Sequence, residues 1–130
     1  MQESIFKAYD VRGIYGKDID KDVARHVARI VMKIIPRGTV VIGHDGRRGS
    51  AEMASALLHE YAQNAACHVI ALGLSSTPMF YFVVNREGAA AGIMVTASHN
   101  PKEYNGFKVV RAGAEPVSGL ELKKHLNEIA

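Results

Sequence analysis

The order of apolar segments predicts an α/β fold: helices layered on both faces of a mostly parallel, mixed sheet of about four strands, in a single domain spanning residues 1–130. Three observations carry this expectation. Short apolar runs such as Thr39-Val40-Val41-Ile42 and Ile93-Met94-Val95 lack the alternation of a half-solvated strand, so both faces of the sheet must be covered. Between such runs lie segments whose apolar residues recur at helical spacing. The strands run out into glycine-rich or polar turns, the punctuation of a strand-helix-strand chain. With 130 residues, 48% of them apolar and 22% charged, the chain can bury a core without metal or disulfide staples.

Ile5 to Ile14 alternates and carries aromatics, which predicts a first strand closed by Gly13 and Gly16. Tyr9 and Arg12 are three apart, so a regular strand puts them on opposite faces; for both to serve one site, the strand must end or bend near Asp10. Otherwise Tyr9 is a strand aromatic and Arg12 a surface charge. From Asp18 to Ile35, Ile19, Val23, Val27, Ile30, Val31 and Ile34 predict a helix capped by Asp18 or Asp20 and stopped by Pro36 and Gly38, with His26 and Arg29 on its polar side.

Thr39 to Gly43 reads as an inner parallel strand. It runs into Gly43-His44-Asp45-Gly46-Arg47-Arg48-Gly49, after which Ser50 is expected to cap a helix to about Asn64, with Met53, Ala54, Leu57, Leu58 and Tyr61 as its buried stripe. The glycines follow GxxGxxG and not the dinucleotide fingerprint, the P-loop lysine is missing, and His59-Glu60 lacks the second histidine of a zinc helix. What remains is a strand-to-helix turn whose amides, with Arg47 or Arg48, can attract an anion, or a purely structural turn.

Ala66 to Leu74 predicts a third strand. Thr77 as N-cap and Pro78 at the first helical position then open a helix with Phe80, Val83 and Val84 inside and Gly88 as its stop. Ala89 to Val95 is the next strand and delivers Thr96-Ala97-Ser98-His99-Asn100-Pro101 to an edge of the sheet. Gly106 to Arg111 returns antiparallel to Ala90–Val95, and Ser118-Gly119 opens a last helix with Leu120, Leu122, Leu126 and Ile129 as its apolar positions. Right-handed crossovers bring the turns after Ile42, Leu74 and Val95 to one end of the sheet, where open α/β folds bind ligands.

The loop after Val95 has the chemistry of a phosphoryl site. Ser98 offers an oxygen that can carry a phosphoryl group, His99 can hold a proton near neutral pH, and Asn100 can donate to an anion. Pro101 stiffens the turn, and Lys108 can return as a point cation if Tyr104 to Gly106 turn tightly. Residue types alone favour a connecting turn. The complete pattern changes the balance: TASHNPxxYNGxK, Thr96 to Lys108, resembles the phosphoserine loop of the α-D-phosphohexomutases, and Ala8-Tyr9-Asp10-Val11-Arg12-Gly13 resembles the opening motif of their phosphomannomutase/phosphoglucomutase branch. Asp45 and Arg47 fit the family's GxDxRxS segment, with Gly49 where a serine is common.

This resemblance implies interconversion of hexose 1-phosphate and hexose 6-phosphate through a phosphoserine at Ser98 and a hexose 1,6-bisphosphate intermediate. It implies catalytic roles for Ser98, His99, Lys108 and Arg12, with His99 and Lys108 both candidates for the proton. It also implies substrate contacts from Tyr9, Asn100 and Arg47, Asp45 and Arg47 organising the floor of the site, and Mg²⁺ bound through the phosphate on Ser98. Only the first of the family's four domains is matched. The acidic metal loop, the sugar-specificity segment and the distal phosphate clamp have no counterpart, so the expectation is a catalytic-serine domain that is inactive alone and is completed by the missing domains. The alternative, from another class, is a non-catalytic phosphate- or anion-binding α/β module.

Composition narrows the partners. The formal charge is +3, yet no basic cluster extends beyond Arg47-Arg48 or Lys123-Lys124, so a small anion is a better partner than nucleic acid. No apolar stretch has membrane-spanning length, and MQESIFKAYD lacks the sequence of a secretory signal. One cysteine, Cys67, excludes an internal disulfide, suits a packing role and fits a cytoplasmic setting.

Overall fold

The structure, a computed structural model, describes residues 1–129. The elements run β1 (Val11–Ile14), α1 (Lys21–Ile34), β2 (Gly38–His44), α2 (Ser50–Tyr61), β3 (Cys67–Leu74), α3 (Thr77–Arg86), β4 (Ala91–Val95), β5 (Tyr104–Arg111), β6 (Glu115–Val117) and α4 (Gly119–Lys124). The strands form one sheet in the order β1-β5-β4-β2-β3, with β6 also paired to β5. Helices α1 and α2 and Leu122 of α4 bury the larger core against one face, where Val27, Ile30, Leu57 and Tyr61 meet Val40, Ile42 and Ile93. On the other face Phe80 and Val84 of α3 pack on Val41, Met94 and Val110. The layered α/β architecture is as expected.

Two sheet expectations are corrected. There are six strands and not four, and the parallel part is confined to β3, β2 and β4. Strand β5 returns antiparallel to β4, while β1 and β6 pair antiparallel to β5. Short returns cannot make parallel crossovers, which need a dozen or more residues, so β5 runs antiparallel to β4 and β6 to β5. Strand β6 is three residues long and contains Pro116, too little to register as a strand in the sequence.

Local boundaries also differ. Ile5 and Phe6 are neighbours and both buried, which strand alternation forbids; Glu3–Ile5 is a 3₁₀ turn, and the Lys7 N–H donates to the Asp10 carbonyl at 2.7 Å. The first strand therefore begins only at Val11. Asp20 caps α1 by accepting from the Asp22 and Val23 N–H groups, and Asp18 accepts instead from the Ile14 N–H. Of the two adjacent hydroxyls before α3, Ser76 is the cap and Thr77 the first helical residue. The last helix ends at Lys124; His125 leaves helical geometry, and Leu126–Ile129 is a separate 3₁₀ turn. Arg29, which looked like an idle surface charge, reaches Glu60 with two N–H groups at 3.2 Å and ties α1 to α2. Among the described residues no helix is long and apolar enough to cross a membrane.

Candidate active site at the end of β4

Because β2 and β4 are parallel neighbours, the segments leaving them start at the same end of the sheet; the Asp45 N–H donates to the Val95 carbonyl at 3.0 Å. After β4 the Thr96 N–H still bonds the Gly106 carbonyl, and then the chain turns outward. Ser98 takes φ +55°, the left-handed region that glycine enters freely and other residues only at a cost of about 1–3 kcal/mol. Its N–H is held by Thr96 Oγ1 at 3.0 Å, and the Asn100 backbone and side-chain N–H groups both donate to the Ala97 carbonyl. Ser98 and His99 are exposed and Asn100 is half-buried.

Arg47 lies beneath this loop. Its Nη1 donates to the Pro101 and Tyr104 carbonyls at 2.8 and 3.1 Å, and its Nη2 to those of Ser98 and Asn100, both at 2.7 Å. All four terminal N–H groups are thus spent on the loop. Asp45 lies beside Arg47: its Oδ1 accepts from the Arg47 N–H and from Ser50 Oγ.

Beside the loop stands a cationic wall. Arg12 Nη1 donates to Asn100 Oδ1 at 3.2 Å, and Arg12 Nε lies 3.1 Å from Asp10 Oδ1, an ion pair whose N–H is not aligned as a hydrogen bond. The other oxygen of Asp10 is 3.9 Å from Lys108 Nζ. Asp10 is only 7% exposed, so one buried carboxylate joins the two cations that the motifs single out separately. Arg12, Asn100, Lys7 and Tyr104 line a cavity of about 280 Å³ next to them. Tyr9 does not join this group through any hydrogen bond among the described residues and is 84% exposed. His99 likewise has no hydrogen-bonding side-chain partner among them.

Two site residues escaped the sequence reading. Asp10 sits between Tyr9 and Arg12 in the opening motif, and that position was its only signal. Asn105 is fully buried; its Nδ2 donates to Ser50 Oγ at 2.9 Å and to the Arg48 carbonyl at 3.0 Å, tying the start of β5 to the turn before α2.

With this geometry in view, comparison with known proteins is informative. Residues 3–129 match the family described as "Phosphoglucomutase/phosphomannomutase, alpha/beta/alpha domain I". The chain belongs to the phosphoglucomutase/phosphomannomutase family. It is 42% identical to a phosphomannomutase of Escherichia coli strain K12 over 114 residues, which are 88% of this chain and 25% of that protein. A phosphomannomutase of Klebsiella pneumoniae is 41% identical over 118 residues, 91% of this chain and 74% of the relative. Among solved structures, a phosphoglucomutase/phosphomannomutase family protein from Burkholderia thailandensis superposes with a TM-score of 0.82 at 35% identity, covering 98% of this chain and 31% of that one. The chain thus spans about a quarter of the length of the first curated relatives it matches.

Within this phosphoglucomutase/phosphomannomutase domain, the glycine at position 49 has a physical reason. Gly49 takes φ +86°, and a Cβ there would stand 2.2 Å from the Tyr15 ring. Gly49 occupies the N-cap position of α2 and Ser50 the first helical one, so Ser50 does not cap the helix as expected; its buried Oγ bridges Asp45 and Asn105. Tyr15 Oη donates to Glu52 at 2.8 Å, and this bond, helped by desolvation, pushes the phenol above its ordinary range. Among the described residues no three His, Cys, Asp or Glu side chains gather to hold a metal ion. Asp10 and Asp45 are committed to Arg12, Lys108, Ser50 and Arg47, so these residues do not form a Mg²⁺ site by themselves.

Proposed function

We propose that this chain is the nucleophile-bearing domain of a phosphohexomutase that interconverts hexose 1-phosphate and hexose 6-phosphate, with Ser98 as the residue that carries the phosphoryl group. The observation that carries the proposal is the exposed Ser98 held at φ +55° at the end of β4. A left-handed serine is strained, and strain of this kind persists where the surroundings impose it, as at nucleophilic turns. Family membership supplies the chemical class.

In the proposed reaction the phosphoserine P–Oγ bond breaks as a P–O bond forms to the free hydroxyl of a hexose monophosphate. The hydroxyl proton passes by way of His99 or Lys108 to the departing Ser98 Oγ, and the products are a hexose 1,6-bisphosphate and the free serine. After the sugar reverses, Ser98 Oγ attacks its original phosphoryl group, and the serine proton returns by the same group to the departing sugar oxygen. Such transfers run through a loose transition state with charge on the phosphoryl oxygens, so catalysis is chiefly positioning and charge neutralisation. Arg12 is a cation available for this, joined by Lys108 where His99 handles the proton, and Asp10 between them keeps both at the wall. Asn100, oriented by Arg12 and Ala97, is a contact for the phosphoryl or sugar oxygens. Mg²⁺ at a phosphate on Ser98 would neutralise further charge but must draw its carboxylate ligands from outside residues 1–129.

Intact-mass analysis tests the proposal. After incubation with a hexose 1,6-bisphosphate, the wild-type chain gains the mass of one phosphoryl group, and Ser98→Ala does not. Equal phosphorylation of both, or none in either while the bisphosphate still binds, would favour the non-catalytic anion-binding module.

A further inference from the structure

We infer that Arg47 is a positioning residue that sets the left-handed backbone at Ser98 and neutralises four carbonyl oxygens gathered beneath the loop. The inference rests on the reading of Ser98 as the phosphoryl carrier. The carbonyls of Ser98, Asn100, Pro101 and Tyr104 all converge on one guanidinium. Each presents the negative end of a peptide dipole, and four of them facing one point repel one another unless a cation lies there. With the carbonyls of Ser98 and of three residues after it drawn inward, the side chains of Ser98 and His99 lie on the outer side, where both are exposed.

Arg47 is itself held in place. Asp45 Oδ1 accepts from its N–H at 3.0 Å, and Asp45 Oδ2 lies 3.6 Å from its Nε. Ser50 Oγ donates to Asp45 Oδ1 at 2.6 Å and accepts from Asn105 Nδ2 at 2.9 Å. A continuous polar chain therefore runs from the start of β5, through the first residue of α2, to the loop, and fixes where the fork points before any ligand arrives. The planar fork of arginine can satisfy four acceptors in two directions, whereas a lysine offers three donors from a single atom. The Arg47 fork in the turn after β2 thus supports the loop.

Amide hydrogen exchange and Ser98 phosphate occupancy, both read by mass spectrometry on the 130-residue chain, test this. In Arg47→Lys, exchange across residues 97–105 should quicken by at least about tenfold while β2 and β4 stay protected, and phosphate occupancy should fall with it. Arg48→Lys, with the same charge one residue on, should leave both unchanged. In Arg47→Ala, added methylguanidinium should restore loop protection and methylammonium should not. Unchanged loop exchange in Arg47→Lys, equal quickening throughout the sheet, or equal rescue by methylammonium overturns the inference. Absence of phosphate from the wild-type Ser98 would sink the proposed function and leave the exchange data to decide the role of Arg47 alone.

Discussion

Ser98 holds a backbone angle that a side chain disfavours. Glycine enters φ +55° at no steric cost, so Ser98→Gly should be more stable than Ser98→Ala by about 1 kcal/mol in urea unfolding, although both lack the hydroxyl that the proposed function requires. Equal stabilities would mean that the loop relaxes and that no strain is stored there. Tyr61 makes the opposite kind of statement. It is buried in the main core, and its hydroxyl has no partner among the described residues. Tyr61→Phe should therefore leave stability at neutral pH unchanged or raise it by about 1 kcal/mol. Burial, with a smaller effect from Cys67, also pushes the Tyr61 phenol far above its ordinary 10.0. The unfolded chain releases that proton above about pH 10 while the folded one retains it, so stability falls there with rising pH, by up to about 1.4 kcal/mol per unit. Difference titration of wild type against Tyr61→Phe between pH 9 and 11 measures this; a wild-type curve no steeper than that of the variant would refute it.

The pairing of β1 with β5 is the step that assembles the cationic wall. Arg12 lies opposite Gly106, where a Cβ would stand 2.1 Å from the Val11 carbonyl oxygen. Backbone cannot move aside as a side chain can, so Gly106→Ala should cost about 2–4 kcal/mol and separate Arg12 from Asn100. Thermal unfolding, with the Arg12 side-chain NMR signals as the local probe, would expose a tolerated substitution. This pairing also marks the limit of what the sequence discloses. Helices α1, α2 and α3 were legible because Val23, Val27, Leu57 and Phe80 repeat at helical spacing, and β2 and β4 because doubly covered strands are continuously apolar. Ser98, Arg12 and Lys108 were candidates because motifs carry them. Asp10 between two cations, and Arg47 under four carbonyls, were not legible, because each depends on a register or a loop path that no local pattern specifies.

Considered whole, and on the proposed function, the molecule offers reacting parts of a phosphoryl transfer without enclosing them. Phosphoryl transfer needs a positioned acceptor, neutralisation of the phosphoryl oxygens and exclusion of water, since water competes for the same group. On that reading the end of the sheet provides the first through Ser98 and part of the second through Arg12 and Lys108. It does not provide the third: Ser98 and His99 are exposed, and the neighbouring cavity holds only about 280 Å³. Nor do Asp10 and Asp45, engaged as they are, furnish a metal ion with ligands. On the proposed function, reversal of a bisphosphate within such an open site should end in its escape to solvent before the second transfer. The purified 130-residue chain should accordingly take at most one phosphoryl group per molecule from a hexose 1,6-bisphosphate and show no sustained interconversion of hexose 1- and 6-phosphates in a coupled assay with excess substrate and Mg²⁺. Sustained turnover that survives further purification and disappears in Ser98→Ala would mean that residues 1–129 enclose and neutralise the intermediate unaided, and the account of an open, incomplete site would have to be abandoned.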